Sequence, residues 1–308
     1  MSTLLTSMRV SKIGLGCVTF GREIDEAASH ALMDHAFARG VSMFDTAAAY
    51  GQGASEKIIG RWLASRRPAA GKVTVATKIL PPYDPDSILR AVDGSRTRLG
   101  LDAIGLLYLH RWDPDAISLP VLTVLDSLVR QGKVCALGVS NWNMEQMTNA
   151  SKRQQEHGLV SFSAVQNNHN LAVSDITEDL REFCAARQIA IITYSPLGAG
   201  FLTGKHNQRV EPESRFDLVP GHQAIYFNET SHRRLAALEA IAAVSGHSQV
   251  HLALAWALHQ PGVTSVLVGG RTPAHLDQAF AALSDNDAEV LAELDHALHQ
   301  TSRVSVST

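Results

Sequence analysis

The chain has 308 residues, 45% hydrophobic and 19% charged, with a formal net charge of −3. That composition is globular and long enough for a large core, and its near-neutral balance gives no electrostatic reason to expect nucleic acid or an anionic membrane. Cys17, Cys135 and Cys184 cannot all pair and show no CxxC spacing, which speaks against a disulfide framework and for a reducing cytosol. The start "MSTLLTSMRVSKIG" has no continuous apolar leader segment. No run approaches the ~18 residues of a membrane span. A soluble cytoplasmic protein is expected.

In chain order, short β-rich runs alternate with helical patterns. The runs fall at 12–17, 41–46, 73–79, 103–110, 134–140, 163–168, 190–196 and 263–270. Between them, 25–40 and 175–188 carry helical periodicity; in the second, Ile176, Leu180 and Phe183 share one face. Asp175 and Ser55 read as helix N-caps, and Gly40, Gly100, Gly132 and Gly158 sit where helices should stop. Eight β-α alternations fit a closed (β/α)8 TIM barrel better than an open sheet of five or six strands. No Pro/Gly/Ser-rich linker divides the chain, so residues 1–308 read as a single domain. The polar stretch at about 203–230 is too long for a routine connection and is a candidate functional flap.

In such a barrel the C-terminal strand ends and the loops after them build the active site. The second run ends near Asp45, the third near Lys78 and the fourth at His110, with Tyr50 in the loop after the second. Spacings of 33 and 32 residues suggest one level on three neighbouring strands. A phenol with a pKa of about 10 is a poor proton donor at neutral pH. An ammonium beside it should lower that value and make Tyr50 a usable general acid. Asp45 would keep Lys78 charged and oriented, and His110 could donate to a carbonyl oxygen. The group suits protonation of an oxygen that becomes anionic as hydride reaches its carbon. Each residue alone reads as a turn, a solvated strand end or a core histidine; the set together favours chemistry. Hydride itself must come from a cofactor.

The segments "FDTAAAYGQGASEKIIGRWL", "VATKI", "LLYLHRWDP", "LGVSNW", "ITYSPLGAGFLTGK" and "SVLVGGRTPAHLDQ" resemble, in order, the aldo-keto reductases. The likeness spans roughly residues 10–285 and is nearest the bacterial and potassium-channel β-subunit-like branches. It implies a (β/α)8 barrel, NADPH (with NADH not excluded), and a tetrad on Asp45, Tyr50, Lys78 and His110. It further implies that Ser140, Asn141 and Gln166 bond the nicotinamide carboxamide and that Tyr194 stacks on its ring. Ser195, Leu197, Gly198, Gly200 and Leu202 would form a small-residue loop at the pyrophosphate. Lys205 and Arg215 match basic contact positions. Arg271, after Gly269, would meet the 2′-phosphate, where a guanidinium suits a doubly anionic group. In one departure, the Glu-Asn pair common near the adenine is Gln278-Ala279 here, which leaves the preference between NADPH and NADH open.

"GLGCVTFG" is not the GxGxxG dinucleotide fingerprint, so Gly14 and Gly16 read as close packing. His247 and His251 are four apart, but Ser248 stands where a zinc protease motif needs Glu, and no metal is expected. Phe20, Trp112 and Trp142 are candidates for an apolar substrate pocket, or for packing inside. The leading expectation is reduction of a small aldehyde or ketone. The alternative is a cofactor-binding redox sensor or regulatory subunit with little turnover. A Schiff-base role for Lys78 is opposed by Asp45, because that chemistry needs a neutral amine.

Overall fold

The computed structural model describes residues 10–66, 71–206, 209–285 and 287–303. Eight parallel strands close into a barrel in sequence order: β1 (Ile13–Gly16), β2 (Met43–Asp45), β3 (Thr74–Ile79), β4 (Ile104–Leu109), β5 (Val134–Ser140), β6 (Ala164–Asn168), β7 (Ala190–Tyr194) and β8 (Val263–Gly269). Helices α1 (Glu26–Ala38), α2 (Ala54–Ser65), α3 (Pro85–Leu99), α4 (Leu119–Arg130), α5 (Met144–Glu156) and α6 (Glu178–Arg187) each follow one strand. After β7 come short helical turns, then α7 (Glu229–Ser245) and α8 (Gln249–His259); α9 (Pro273–Ser284) and α10 (Ala288–Arg303) follow β8. Among the described residues no helix is long and apolar enough to cross a membrane.

The strands are apolar on both faces because both are covered. Phe44, Val75, Leu107, Leu137, Val165, Ile191 and Val266 pack outward in the layer between strands and helices. Met43, Ala76, Leu106, Tyr108, Ala136, Ala164, Ile192 and Leu267 fill the barrel itself. This inner filling is uneven, since Tyr108 is fully buried among alanines. A Cβ placed on Gly138 would come within 2.5 Å of the Tyr108 ring, so glycine there makes the room.

The register corrects one expectation. Asp45 lies opposite Ala76, two residues before Lys78, and Lys78 lies opposite Tyr108, two before His110. The three are therefore stepped across the ladder, because strands in a closed barrel tilt and stagger. Steps of two preserve the pleat, so all three keep the inward parity of Met43, Ala76 and Tyr108.

Two helix starts also differ from expectation. Thr177, not Asp175, precedes α6, and α2 begins after Gly53, whose φ of 88° no other residue type adopts easily. Ser55 lies inside α2, fully buried. Gly40, Gly100, Gly132 and Gly158 do stand at helix ends, all with positive φ.

Candidate active site

Lys78 and Asp45 are 1% and 2% exposed, so their charges must satisfy each other. The Lys78 ammonium donates to Asp45 Oδ1 and, at 2.9 Å, to the Thr46 carbonyl. Gln166 Nε2 donates to Asp45 Oδ2 at 2.8 Å, holding the carboxylate from its other side. Burial pulls the Lys78 pKa down, but Asp45 and the Tyr50 phenol more than offset it, and the net direction is up. Burial pushes the Asp45 carboxyl up, against the pull of Lys78. The ionised pair is the state these contacts select, because the ammonium's bonded partners are acceptors. A charged Lys78 is no Schiff-base nucleophile.

The Tyr50 ring centroid lies 5.2 Å from the ammonium nitrogen, and His110 meets the ring edge-on at 5.9 Å and 77°. Acid, cation, phenol and imidazole thus gather at one barrel mouth. The tyrosine's acidity departs from the sequence expectation. Burial raises the Tyr50 pKa because a phenolate would lose its water, and Lys78 offsets only part of that rise. The phenol holds its proton firmly, and the ammonium's part is to stabilise the anion left behind. Burial, then the nearby cations Lys78 and Arg111, hold the His110 imidazole down at about 3. It is neutral at physiological pH, and among the described residues its buried Nδ1 has no hydrogen-bond partner.

Beneath this group lies Tyr108, whose ring centroid is 5.9 Å from the Lys78 nitrogen and whose buried hydroxyl lies beside Gln166. Nothing in the sequence marked it apart from its place two residues before His110.

A model of the Aldo/keto reductase family matches residues 12–299. The chain belongs to the aldo/keto reductase family. Similar proteins include the uncharacterized oxidoreductase YrpG of Bacillus subtilis, 29% identical over 94% of this chain and 93% of its own length. Protein tas of Escherichia coli is 29% identical over 96% of each. This family member is an oxidoreductase, and the family's nicotinamide cofactors set the question for the rest of the mouth.

Several positions expected at a nicotinamide dinucleotide stand at the C-terminal ends of strands in this aldo/keto reductase barrel. Ser140, Tyr194 and Gly269 close β5, β7 and β8, and Gln166 lies in β6. Tyr194 donates to Asn141 Oδ1 at 2.6 Å, while Asn141 Nδ2 reaches the His110 carbonyl at 3.2 Å and Ser140 Oγ at 3.1 Å. One amide hydrogen of Gln166 is already committed to Asp45. Positive φ at Ser195, Gly198, Ala199 and Gly200 coils the following loop tightly. The Gly198 and Gly200 N–H groups close that loop's own turns, on Ser195 and Leu197, and Leu202 is fully buried. These three shape the loop.

The cations differ in their freedom. Arg215 bonds Glu23 at 3.2 Å, which Arg22 also engages. Lys205 is exposed. Arg271 is exposed and donates to the Glu213 carbonyl at 2.9 Å, and among the described residues no carboxylate pairs with it. Gln278 is exposed, whereas Ala279 is fully buried and packs in the core. Amide, hydroxyl, aromatic and cationic groups of this kind fit a dinucleotide phosphate.

Of the expected pocket aromatics, Phe20 and Trp142 are 0% and 1% exposed and belong to the core. Trp112 is half-buried, edge-on to Trp142 at 4.7 Å. Away from the mouth, His247 and His251 stack in parallel at 4.8 Å and share Asp285 at 3.5 and 2.9 Å, joining α8 to the end of α9.

Proposed function

We propose that this oxidoreductase reduces an aldehyde or ketone to the alcohol, with NADPH as its cofactor and Tyr50 as general acid. The observation that carries this reading is the fully buried Lys78–Asp45 pair set against the Tyr50 ring, with neutral His110 at its edge. NADPH, when bound, supplies hydride to the carbonyl carbon.

The chain's own residues then have separable tasks. Neutral His110 directs a hydrogen bond at the carbonyl oxygen and adds no second charge to a site already holding an ammonium. Tyr50 gives its proton to that oxygen. Lys78 stabilises the resulting phenolate, and Asp45 with Gln166 keeps the ammonium charged and aimed. Ser140 and Asn141 offer polar groups to a carboxamide, Tyr194 a ring face, and Arg271 an unpaired cation to a 2′-phosphate.

The test is a panel of aldehydes and ketones with NADPH and NADH, followed as loss of nicotinamide absorbance. Turnover of at least some simple aldehydes is expected, faster with NADPH. Tight NADPH binding with no turnover across the panel would favour a sensor instead.

A further inference from the structure

Successive residues on a strand face opposite ways, so the residues beside Asp45 and Lys78 point away from the barrel interior. Those residues are Thr46 and Thr77, both fully buried, and both bond to the first turn of α2. Ser55 Oγ donates to the Cys17 carbonyl at 2.9 Å, which leaves Thr46 to donate to Ser55 at 2.8 Å. Thr77 donates to Glu56 Oε1 at 2.6 Å. Arg98 of α3 donates to Glu56 Oε2, also at 2.6 Å. Glu56 is 0% exposed, a carboxylate with both oxygens engaged and no direct part in the chemistry above.

The same network reaches the tyrosine. Tyr50 is followed by Gly51, Gln52 and Gly53 in left-handed conformation, at φ of 55°, 54° and 88°. Left-handed backbone is uncomfortable for glutamine, so the loop persists only where its surroundings hold it. Arg98 supplies one such support, since a Cβ on Gly53 would lie 2.8 Å from its Cδ. One helical turn thereby grips the ends of β1 and β2, the strand of the cation, and the guanidinium under the acid's loop.

We propose that Ser55 and Glu56 are positioning residues, which set Asp45, Lys78 and Tyr50 relative to one another from the barrel's outer side. The proposal rests on the reading of Tyr50 as general acid. Glu56 sets the level of Lys78 through Thr77 and the Tyr50 loop through Arg98. Ser55 sets Asp45 through Thr46. A displacement of about 1 Å in such a group is worth about 100-fold in rate.

Single-turnover hydride transfer from pre-bound NADPH, over a range of pH, reads this out beside NADPH affinity and thermal unfolding. Thr77→Val removes one hydroxyl at nearly constant shape and should slow transfer by about 10–100-fold. NADPH affinity should stay within about twofold of wild type, because the cofactor groups lie on other strands. Thr77→Ser restores the hydroxyl and should recover most of the rate. Glu56→Gln leaves one accepting oxygen where Arg98 and Thr77 each need one, and should both slow transfer and move the pH profile. Wild-type rates and pH profiles in Thr77→Val and Glu56→Gln, with only a lower unfolding temperature, would overturn the proposal. Tyr50→Phe is measured in parallel. If it is crippled while Thr77→Val is not, the acid reading stands and the positioning role fails. If Tyr50→Phe is unimpaired, the acid reading fails and this proposal falls with it.

Discussion

The β2–β3 quarter of the barrel and the β7–β8 quarter are held together by different physics. In the first, charged and polar side chains are sealed from water and bonded to one another in pairs: Lys78 to Asp45, Thr77 to Glu56, Thr46 to Ser55. In the second, the described residues around 209–230 are tied down by rings. Phe216 meets Phe227 at 4.9 Å and His206 at 5.0 Å, and Phe201 stacks on Tyr226 at 6.1 Å. Its cations differ in exposure: Lys205 is exposed, while Arg215 is half-buried against Glu23. A polar network has few arrangements that satisfy every member, whereas an aromatic cluster tolerates small shifts at modest cost. The first quarter suits chemistry that fails with small misplacement; the second suits a surface that yields to small shifts.

The sharpest way to break that contrast is at Tyr50. Tyr50→Phe keeps the ring against His110 and removes only the hydroxyl, so fold and NADPH affinity should survive. Carbonyl reduction should fall by about 10²–10⁴-fold in single turnover. Lys78→Met strands the Asp45 carboxylate as well as the phenol. It should combine a comparable rate loss with about 3–5 kcal/mol of lost stability in urea unfolding. A well-folded, active Lys78→Met would mean that the polar quarter is not a mutually dependent unit.

On the other side the effects should be graded. Arg271→Ala should weaken NADPH by about 10–150-fold, equivalent to about 1.5–3 kcal/mol for one charge-assisted contact, and NADH far less. Equal losses for both cofactors, by fluorescence titration, would remove the 2′-phosphate assignment.

A third comparison uses pH. His110 is held at about 3 in the fold against an ordinary value of 6.5. The unfolded chain therefore binds the extra proton over the interval between, and stability rises with pH across it. His110's contribution is complete above about pH 6.5 and is lost progressively toward pH 3. His110→Asn should flatten the stability slope in that window by up to one proton. The wild-type rate profile should show no limb near pH 6.5; such a limb would contradict a neutral imidazole.

The smallest effect is expected at Tyr226, whose hydroxyl exchanges hydrogen bonds with Asn168 of β6 at 3.1 and 3.2 Å. Tyr226→Phe should cost about 0.5–1.5 kcal/mol in unfolding and leave single-turnover transfer at the wild-type rate. A large rate loss there would erase the distinction between the two quarters.

Much of this was legible in the chain. Eight apolar runs at βα intervals announced the barrel, and polar residues interrupting those runs pointed to four side chains that the fold brings together. Ser55 was misread because a serine before an apolar helical stretch looks like a cap. Here Gly53 takes the left-handed turn and the serine moves inside to bond β1 and the end of β2. Equal spacings suggested one level for Asp45, Lys78 and His110 because strand tilt leaves no trace in residue counts. The Glu56–Arg98 pair spans 42 positions, and nothing local to either residue names the other. Phe20 and Trp142 show the converse problem: an aromatic near a barrel mouth reads alike whether it lines the mouth or plugs the wall behind it.

The ring of Tyr108 over Gly138 has an implication for how this chain can change. The floor under the tetrad is one volume with two claimants, and the ring has taken the share that a side chain at 138 would use. Gly138→Ala alone collides with the ring, and Tyr108→Leu alone opens a void below Lys78. Together they should be milder than either, a non-additive pair across neighbouring strands. Of the two orders, losing the ring first leaves a hole that can later be filled, while gaining the methyl first asks a packed interior to expand. A lineage exchanging this floor would have to pass through the hole.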